Sequence, residues 1–294
     1  MLWPIPRGGK AERVGNPADV DPVAGGDDVD GRAHVDALAD VDPADVYGAD
    51  SRQPVGDRPW VLANMIVSID GAATDPTGRS AGLGGPADLR VFSAIRAVAD
   101  IVLAGAGTVR TERYGPARLH PAQQEARRSR GQSLQPRIAV VTRSLALDLD
   151  LPLFRDASDE YRPIVITTTA GLDRVRASGG AAGATTARDL AMVAEIVVAG
   201  DQFVDWGTAL RALRTTARAG VVLLEGGPTT NAQLIAAEVL DELCLTVSPQ
   251  LVGGDGLRIL SGLDVDAPRR MTLHRVLLED DYLFLRYLRA REGA

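Results

Sequence analysis

Lysine is all but missing from this chain of 294 residues: Lys10 is the only one among 32 basic side chains. A phosphate loop of the G-x-x-x-x-G-K-[ST] kind cannot be built without it. That removes P-loop kinases and nucleoside triphosphatases, whose lysine reaches the β- and γ-phosphates. Cysteine is equally scarce. Cys244 stands alone, so neither an intrachain disulfide nor a cysteine-rich metal centre can form, and a reducing compartment is the simple expectation. The three histidines, His34, His120 and His274, lie far apart without HExxH spacing, so no metal site is expected and they read as arm, surface or core residues. Residues 1–30 hold no apolar stretch like a signal peptide's, and no apolar run approaches the roughly 18 residues of a membrane-spanning helix. A cytoplasmic protein without a membrane partner is the expectation.

Charge is unevenly placed. Residues 1–57 carry 12 acids and 5 bases, while the remainder balances at 27 of each sign, so the whole net charge of −7 belongs to the first part. A neutral body without a dense arginine stripe and interleaved aromatics does not suit a nucleic-acid partner. The run Arg127, Arg128 and Arg130, followed by Gly131-Gln132-Ser133, reads as a solvated loop. From Asn16 to Asp57 the chain is dense in Asp, Pro and Gly, with little to bury. Residues 1–57 are therefore expected to form a poorly ordered acidic arm, although Val35, Leu38, Val41, Val46 and Tyr47 could lay a short turn on the body. Residues 58–294 are expected to form one domain.

After Arg58-Pro59, short apolar runs alternate with amphipathic stretches and glycine joints, the texture of an α/β fold. Strands are predicted at Trp60–Ser68, Ile101–Ala104, Arg137–Thr142, Pro163–Thr168, Ala194–Val198, Val221–Glu225 and Leu243–Ser248. Leu273–Leu278 and Tyr282–Leu288, separated by Glu279-Asp280-Asp281, should pair as a terminal hairpin. One helix should begin at Gly85-Pro86, with Asp88 in its first turn and Leu89, Phe92, Ile95 and Ala99 at helical spacing. A second should run from Asp205 as N-cap to Gly220, with Leu210, Leu213 and Ala217 on one face. A third should open at Thr229 or Thr230, where Thr230 and Gln233 have capping-box spacing.

Two strand-to-glycine joints carry the chemistry: Ile101 to Thr108, with Gly105 and Gly107, and Val221 to Thr230, with Gly226 and Gly227. Glycine permits close backbone approach to a ligand, and helix-opening N–H groups favour an anion such as a pyrophosphate. Tight turns with no ligand are the alternative for either joint. The first is not a Rossmann fingerprint, because Arg110 occupies the third glycine position. Leu251-Val252-Gly253-Gly254-Asp255-Gly256 reads as a turn.

In order, Ser68-Ile-Asp70-Gly71, Gly78-Arg-Ser80, Arg96-Ala-Val-Ala-Asp100, Gly105-Ala-Gly107-Thr108-Val109-Arg110 and Glu225-Gly226-Gly227-Pro228-Thr229 span the domain. This series, over about residues 59–289, resembles the reductase domain of the bifunctional riboflavin-biosynthesis deaminase/reductase, a pyrimidine reductase with a dihydrofolate-reductase-like fold. The deaminase half, with its zinc motif, cannot be assembled from one cysteine, so a stand-alone reductase is expected. The resemblance implies a mixed, mainly parallel sheet flanked by helices, and a homodimer acting on a small molecule. It also implies an NADPH-dependent hydride transfer from nicotinamide C4 to sugar C1′ of 5-amino-6-(5-phosphoribosylamino)uracil.

Residue by residue, the resemblance implies that Gly105, Gly107, Thr108, Gly226, Gly227, Pro228 and Thr229 hold the NADPH pyrophosphate. Ile66, Gly82, Val109 and Glu112 are further cofactor positions. Thr142-Arg143-Ser144 falls at the 2′-phosphate, where a guanidinium and two hydroxyls suit a dianion; a plain strand-end turn is the alternative. For substrate it implies Asn64, Asp70, Ser80, Arg96 and Glu225, with Glu225 beside the nicotinamide. Asp70 before Gly71 also suits a turn, and Arg96 in a last helical turn also suits the helix dipole. Three residues depart from the family: Asn64 stands for its lysine, Glu112 for its aspartate beside a new Tyr114, and Asp88 is an added acid. Asp88 either complements its helix N-terminus or, as a catalytic carboxyl with Glu225, binds the edge of a pterin. Reduction of a pterin or dihydrofolate, and cofactor binding without turnover, are the rival functions.

Overall fold

The apolar runs become neighbouring strands of one sheet in a computed structural model that describes residues 12–14, 41–177, 186–262 and 268–290. The strands are β1 (Glu12–Val14), β2 (Trp60–Ser68), β3 (Ile101–Gly105), β4 (Arg137–Val141), β5 (Ile164–Thr167), β6 (Glu195–Val198), β7 (Val221–Leu224), β8 (Glu242–Ser248), β9 (Met271–Glu279) and β10 (Tyr282–Arg289). Their order is β1-β9-β10-β8-β2-β7-β3-β4-β5-β6. From β8 to β6 every neighbouring pair is parallel. The β9–β10 hairpin turns at Asp280 and Asp281, both at positive φ, and pairs antiparallel with β8. This is the expected α/β class, a mixed and mainly parallel sheet with a C-terminal hairpin.

The helices are α1 (Pro43–Ala49), α2 (Pro86–Val98), α3 (Ala106–Thr111), α4 (Pro121–Ser129), α5 (Pro152–Arg155), α6 (Thr169–Ala177), α7 (Ala187–Val193), α8 (Trp206–Thr216) and α9 (Pro228–Ala236). Successive residues of the central strands serve opposite layers: Leu62 and Val102 join one core with Val91, Ile95 and Phe154, while Val61 and Leu103 join the other with Trp206, Leu210 and Leu213. Burial on both faces explains why these strands read as unbroken apolar runs.

Three helix expectations are corrected. In α2 the core face is Ala87, Val91, Ala94, Ile95 and Val98, whereas Leu89 is 64% exposed; the row through Leu89 and Phe92 looks elsewhere. The α9 helix opens two residues before Thr230, with Gly227 as N-cap and Pro228 at its first position, so the Thr230–Gln233 pair forms no capping box. Arg127 does not lie in a solvated loop. It is in α4 and wholly buried, its guanidinium donating to the carbonyls of Ala97, Ala99 and Ser133. The carbonyls of Ala97 and Ala99 lie at the end of α2, where the helix itself provides no donors.

The acidic arm also ends earlier than Asp57. Asp42 caps α1, which buries Tyr47. The Arg52 guanidinium then donates to both Glu242 carboxylate oxygens at 2.9 and 2.8 Å. Arg286 joins from β10, at 2.7 Å from Glu242 and 3.1 Å from Asp50, and Arg275 grips Asp50 at 2.8 and 2.7 Å. Asp50, which counts as an arm charge, thus serves with Glu242 in a buried lattice with three arginines. The strand β1 is a further paired segment of the supposed arm, matching Glu12–Val14 to β9. Val35, Leu38 and His34 lie outside the described residues. Cys244 is buried against Glu242, His120 caps α4, and His274 lies 3.1 Å from Arg286. Among the described residues no helix is long and apolar enough to cross a membrane, and no cluster of His, Cys, Asp or Glu is placed to hold a metal.

Candidate active site

Parallel strands leave their carboxyl ends on one edge, and connections there shape the crevice. Here the ends of β2, β3, β4 and β7 open into a cleft of about 770 Å³. The two glycine joints meet at it. Gly105 N–H donates to the Gly226 carbonyl at 2.8 Å. A Cβ at Gly105 would stand 2.9 Å from Thr230 Oγ1, and one at Gly227 2.9 Å from Thr108 Oγ1. Gly226 has φ +97°, a backbone that a side chain would strain, and the Gly226–Gly227 peptide is cis. Beside them Gly107 has nothing within 4 Å of where its Cβ would be. The glycines therefore serve two ends: some let the joints touch, and Gly107 keeps the mouth open. Gly105→Ala is expected to push the joints apart; should they hold a dinucleotide, as the sequence resemblance implies, the NADPH affinity read by fluorescence titration falls about tenfold, and unchanged affinity would refute the shared role.

Beyond the joints, Asp88, Phe92 and Arg96, spaced by four on α2, line the cleft. Glu225, just past β7, accepts from Arg96 Nε at 2.7 Å and Nη2 at 2.6 Å, and from the Tyr114 hydroxyl at 2.7 Å. The Arg96 guanidinium also lies 4.3 Å over the Phe92 ring. Burial acts against the charge on Arg96, but the adjacent Glu225 carboxylate more than reverses this, and its pKa is raised. Burial likewise pushes the Tyr114 hydroxyl well up. Arg96 and Glu225, separately implied for ribose phosphate and nicotinamide, are thus bound to each other. Asp88 has its carboxyl pKa raised by burial, with a hydrogen bond to Thr246 opposing the shift.

Most other expected positions also line the cleft: Asn64, Ile66, Ser80, Glu112, Thr142, Arg143, Ser144, Pro228 and Thr229. Ser80 and Glu112 do so as a pair, since Glu112 Oε1 accepts from the Ser80 N–H and hydroxyl, both at 3.1 Å. Thr142 Oγ1 accepts from Leu145 N–H at 3.1 Å and so shapes the strand-end turn, while Arg143 and Ser144 are exposed. Two buried acceptors, Asn64 Oδ1 and Asn231 Oδ1, have no partner among the described residues. A buried acceptor left this way calls for a donor from outside the chain.

Three expected positions fall away from the cleft. Asp70 ties the β2 end to a distant loop, accepting from Ser68 Oγ at 2.5 Å and from Gly253 N–H at 2.7 Å. These bonds, the Ser68 one foremost, hold its carboxyl down at about 2. Gly82 has no room for a side chain because Asp75 lies against it. Val109 faces the core at 1% exposure. Conversely, Phe92, Arg110, Tyr114 and Asn231 were not assigned from sequence, although Phe92 falls midway between Asp88 and Arg96 on a helical face.

Residues 59–281 match the family described as the RibD C-terminal domain. The chain is 28% identical over 200 residues to a 2,5-diamino-6-ribosylamino-4(3H)-pyrimidinone 5′-phosphate reductase of Archaeoglobus fulgidus, covering 67% of this chain and 83% of that one. It is 27% identical to the protein of the same name in Aquifex aeolicus, over 70% of this chain and 84% of that one. Among solved structures, a pyrimidine reductase-like protein of Corynebacterium diphtheriae superposes with a TM-score of 0.71 at 26% identity, covering 86% of this chain and 100% of that one. Acinetobacter baumannii RibD shares the fold, with a TM-score of 0.62 at 21% identity, covering 80% of this chain and 58% of that one.

Proposed function

Because the chain belongs to the RibD C-terminal domain family, we propose that it is an NADPH-dependent reductase of a 6-(5-phosphoribosylamino)pyrimidine. The product would be the ribitylamino compound. The observation that carries this reading is the contact between the Gly105 and Gly226 joints at the mouth of one cleft. Paired glycine turns at strand ends suit a diphosphate. Asn64 Oδ1 and Asn231 Oδ1 offer buried acceptors to donors such as a carboxamide or a sugar hydroxyl. NADPH, when bound, supplies a hydride from nicotinamide C4.

The rest is the work of this chain. Glycines at the joints accept a backbone-close ligand, and Arg143 with Ser144 faces its charged end. The Arg96–Glu225–Tyr114 cluster forms a fixed, internally neutralised wall, so the reacting carbon meets a shaped surface instead of mobile charge. Holding reactants about 3 to 3.5 Å apart accounts for a large part of such catalysis, and no histidine base is needed.

The experiment is NADPH oxidation followed at 340 nm with 5-amino-6-(5-phosphoribosylamino)uracil and with its 2-amino counterpart, the substrate in the names of the relatives. Oxidation with either is the expected result. NADPH binding without oxidation would leave a cofactor-binding module. Affinity for NADPH is expected to exceed that for NADH at least tenfold, about 1.4 kcal/mol; equal affinities would refute the cofactor assignment. The expected homodimer remains part of this proposal, with sedimentation velocity as its check.

Asp88 favours a second reading. A half-buried carboxyl in the cleft matches the paired N–H donors of a reduced pterin, or equally those of a 2-amino-4-oxopyrimidine. Turnover of dihydrofolate that is lost in Asp88→Asn would favour the pterin.

A further inference from the structure

Residues 251–262 follow β8 and reach from the end of β2 to the start of α9, and on the way Leu257 and Ile259 line the cleft. Resting on the reading above, we propose that this segment is a strap on the cleft and that Asn231 is the positioning residue that latches it. Dinucleotide at the glycine joints and pyrimidine beside Leu257 then strengthen each other's binding.

The strap has two moorings. At the end of β2, the Asp70 carboxylate accepts from the N–H groups of Val252 and Gly253 at 3.2 and 2.7 Å, and the Ala73 N–H donates to the Leu257 carbonyl at 2.7 Å. At the start of α9, Asn231 Nδ2 donates to the Ile259 carbonyl at 2.7 Å and the Ser261 N–H to the Pro228 carbonyl at 3.3 Å. Gly253 and Gly254, both at φ +68°, have nothing within 4 Å of where a Cβ would stand. The backbone can turn there without meeting a neighbour. Between the moorings Leu257 is 51% exposed although it lines the cleft, so a ligand that lies against it buries apolar surface.

Asn231 joins the second mooring to the Gly226 joint. Its side chain is buried, at 4% exposure, and a Cβ on Gly226 would lie 3.9 Å from its Nδ2 and 4.0 Å from its Oδ1. The amide can face only one way, because turning it over would set Oδ1 against the Ile259 carbonyl oxygen. Nδ2 is doubly engaged, reaching Met65 Sδ at 3.2 Å as well, while Oδ1 has no partner among the described residues. Latching the strap therefore leaves a buried acceptor unsatisfied, which costs stability. An N–H or O–H of a bound dinucleotide removes that cost and so favours the latched strap. By linkage, whatever the latched strap covers must in turn favour the dinucleotide.

The test uses the full chain with NADP⁺, which has no hydride to give, and with whichever of the two pyrimidines the wild type turns over. In the wild type NADP⁺ is expected to slow hydrogen exchange at the Ala73 and Ser261 amides, which hold the strap, and to tighten the pyrimidine at least about fivefold by calorimetry. Asn231→Leu, of similar size, removes the donor and the unsatisfied acceptor together, so the thermal midpoint should hold. The strap should then no longer answer NADP⁺, and the fivefold gain should vanish. Leu257→Ser, on an exposed side chain, should weaken the pyrimidine and leave NADP⁺ alone unchanged. If Asn231 served packing only, its loss would change both affinities and leave the gain intact. A gain kept in Asn231→Leu, unchanged pyrimidine affinity in Leu257→Ser, or a wild-type strap indifferent to NADP⁺ overturns the proposal, while NADPH oxidation by the wild type keeps the functional reading. A wild type that binds no NADP⁺ overturns both.

Discussion

Removing the Glu225 side chain as alanine is expected to lower turnover by at least about 10²-fold and to destabilise the fold by about 3 to 5 kcal/mol. The Glu225 side chain is 3% exposed and satisfies two donors of Arg96 and the hydroxyl of Tyr114. Without it the guanidinium stays charged in a part-buried site, and the tyrosine loses its acceptor. Stability and catalysis can then be separated. Replacing Arg96 and Glu225 together by leucine removes both charges and should recover most of the lost stability, because paired apolar groups often equal a buried ion pair. It should not recover turnover, since the polar wall facing substrate is gone. Thermal midpoints and steady-state rates read the two effects. A single variant that keeps wild-type turnover would show that the cluster only supports the fold.

The lattice around Glu242 is expected to make stability fall steeply in acid. Burial favours the neutral carboxyl, but Arg52 and Arg286 overcome it and bring the pKa from 4.5 to about 2. A folded-state value below the unfolded one means stabilisation that is fully present above about pH 4.5 and is lost as pH falls towards 2. The difference corresponds to about 3 kcal/mol. Glu242→Gln should therefore lower the midpoint at pH 7 by on the order of 10 °C, leaving Arg52 and Arg286 unmatched. The gap to wild type should narrow as pH falls below about 4.5, because the unfolded-state carboxyl gains its proton there while the native one, held at about 2, does not. A gap that is constant from pH 7 to pH 3 would show that Glu242 is not the group responsible.

Both clusters lay beyond sequence reasoning for the same physical cause. Arg96 and Glu225 are 129 residues apart, and Arg52 and Glu242 are 190 apart. No local pattern tells which distant carboxylate an arginine will meet. Asp50 looked like one more charge in an Asp-rich stretch, because composition cannot show that partners on β9 and β10 will bury it. The joints at Gly105 and Gly226 were legible, since an apolar run ending in small residues is a local signal and a strand end is where a crevice forms. Leu89 misled because helical spacing marks two faces of α2 here, one apolar for the core and one mixed for the cleft. Asp70 was readable as a turn residue; its reach to Gly253 was not.

The arginine lattice also sets an order of assembly. During synthesis, Asp50, Arg52 and Glu242 are joined to the chain before Arg275 and Arg286. Until the β9–β10 hairpin arrives, Glu242 has one cation where it needs two and Asp50 lacks its firmest grip. The nascent domain is thus held short of its final state while the parallel strands are already available, and the hairpin acts as the clasp that closes it.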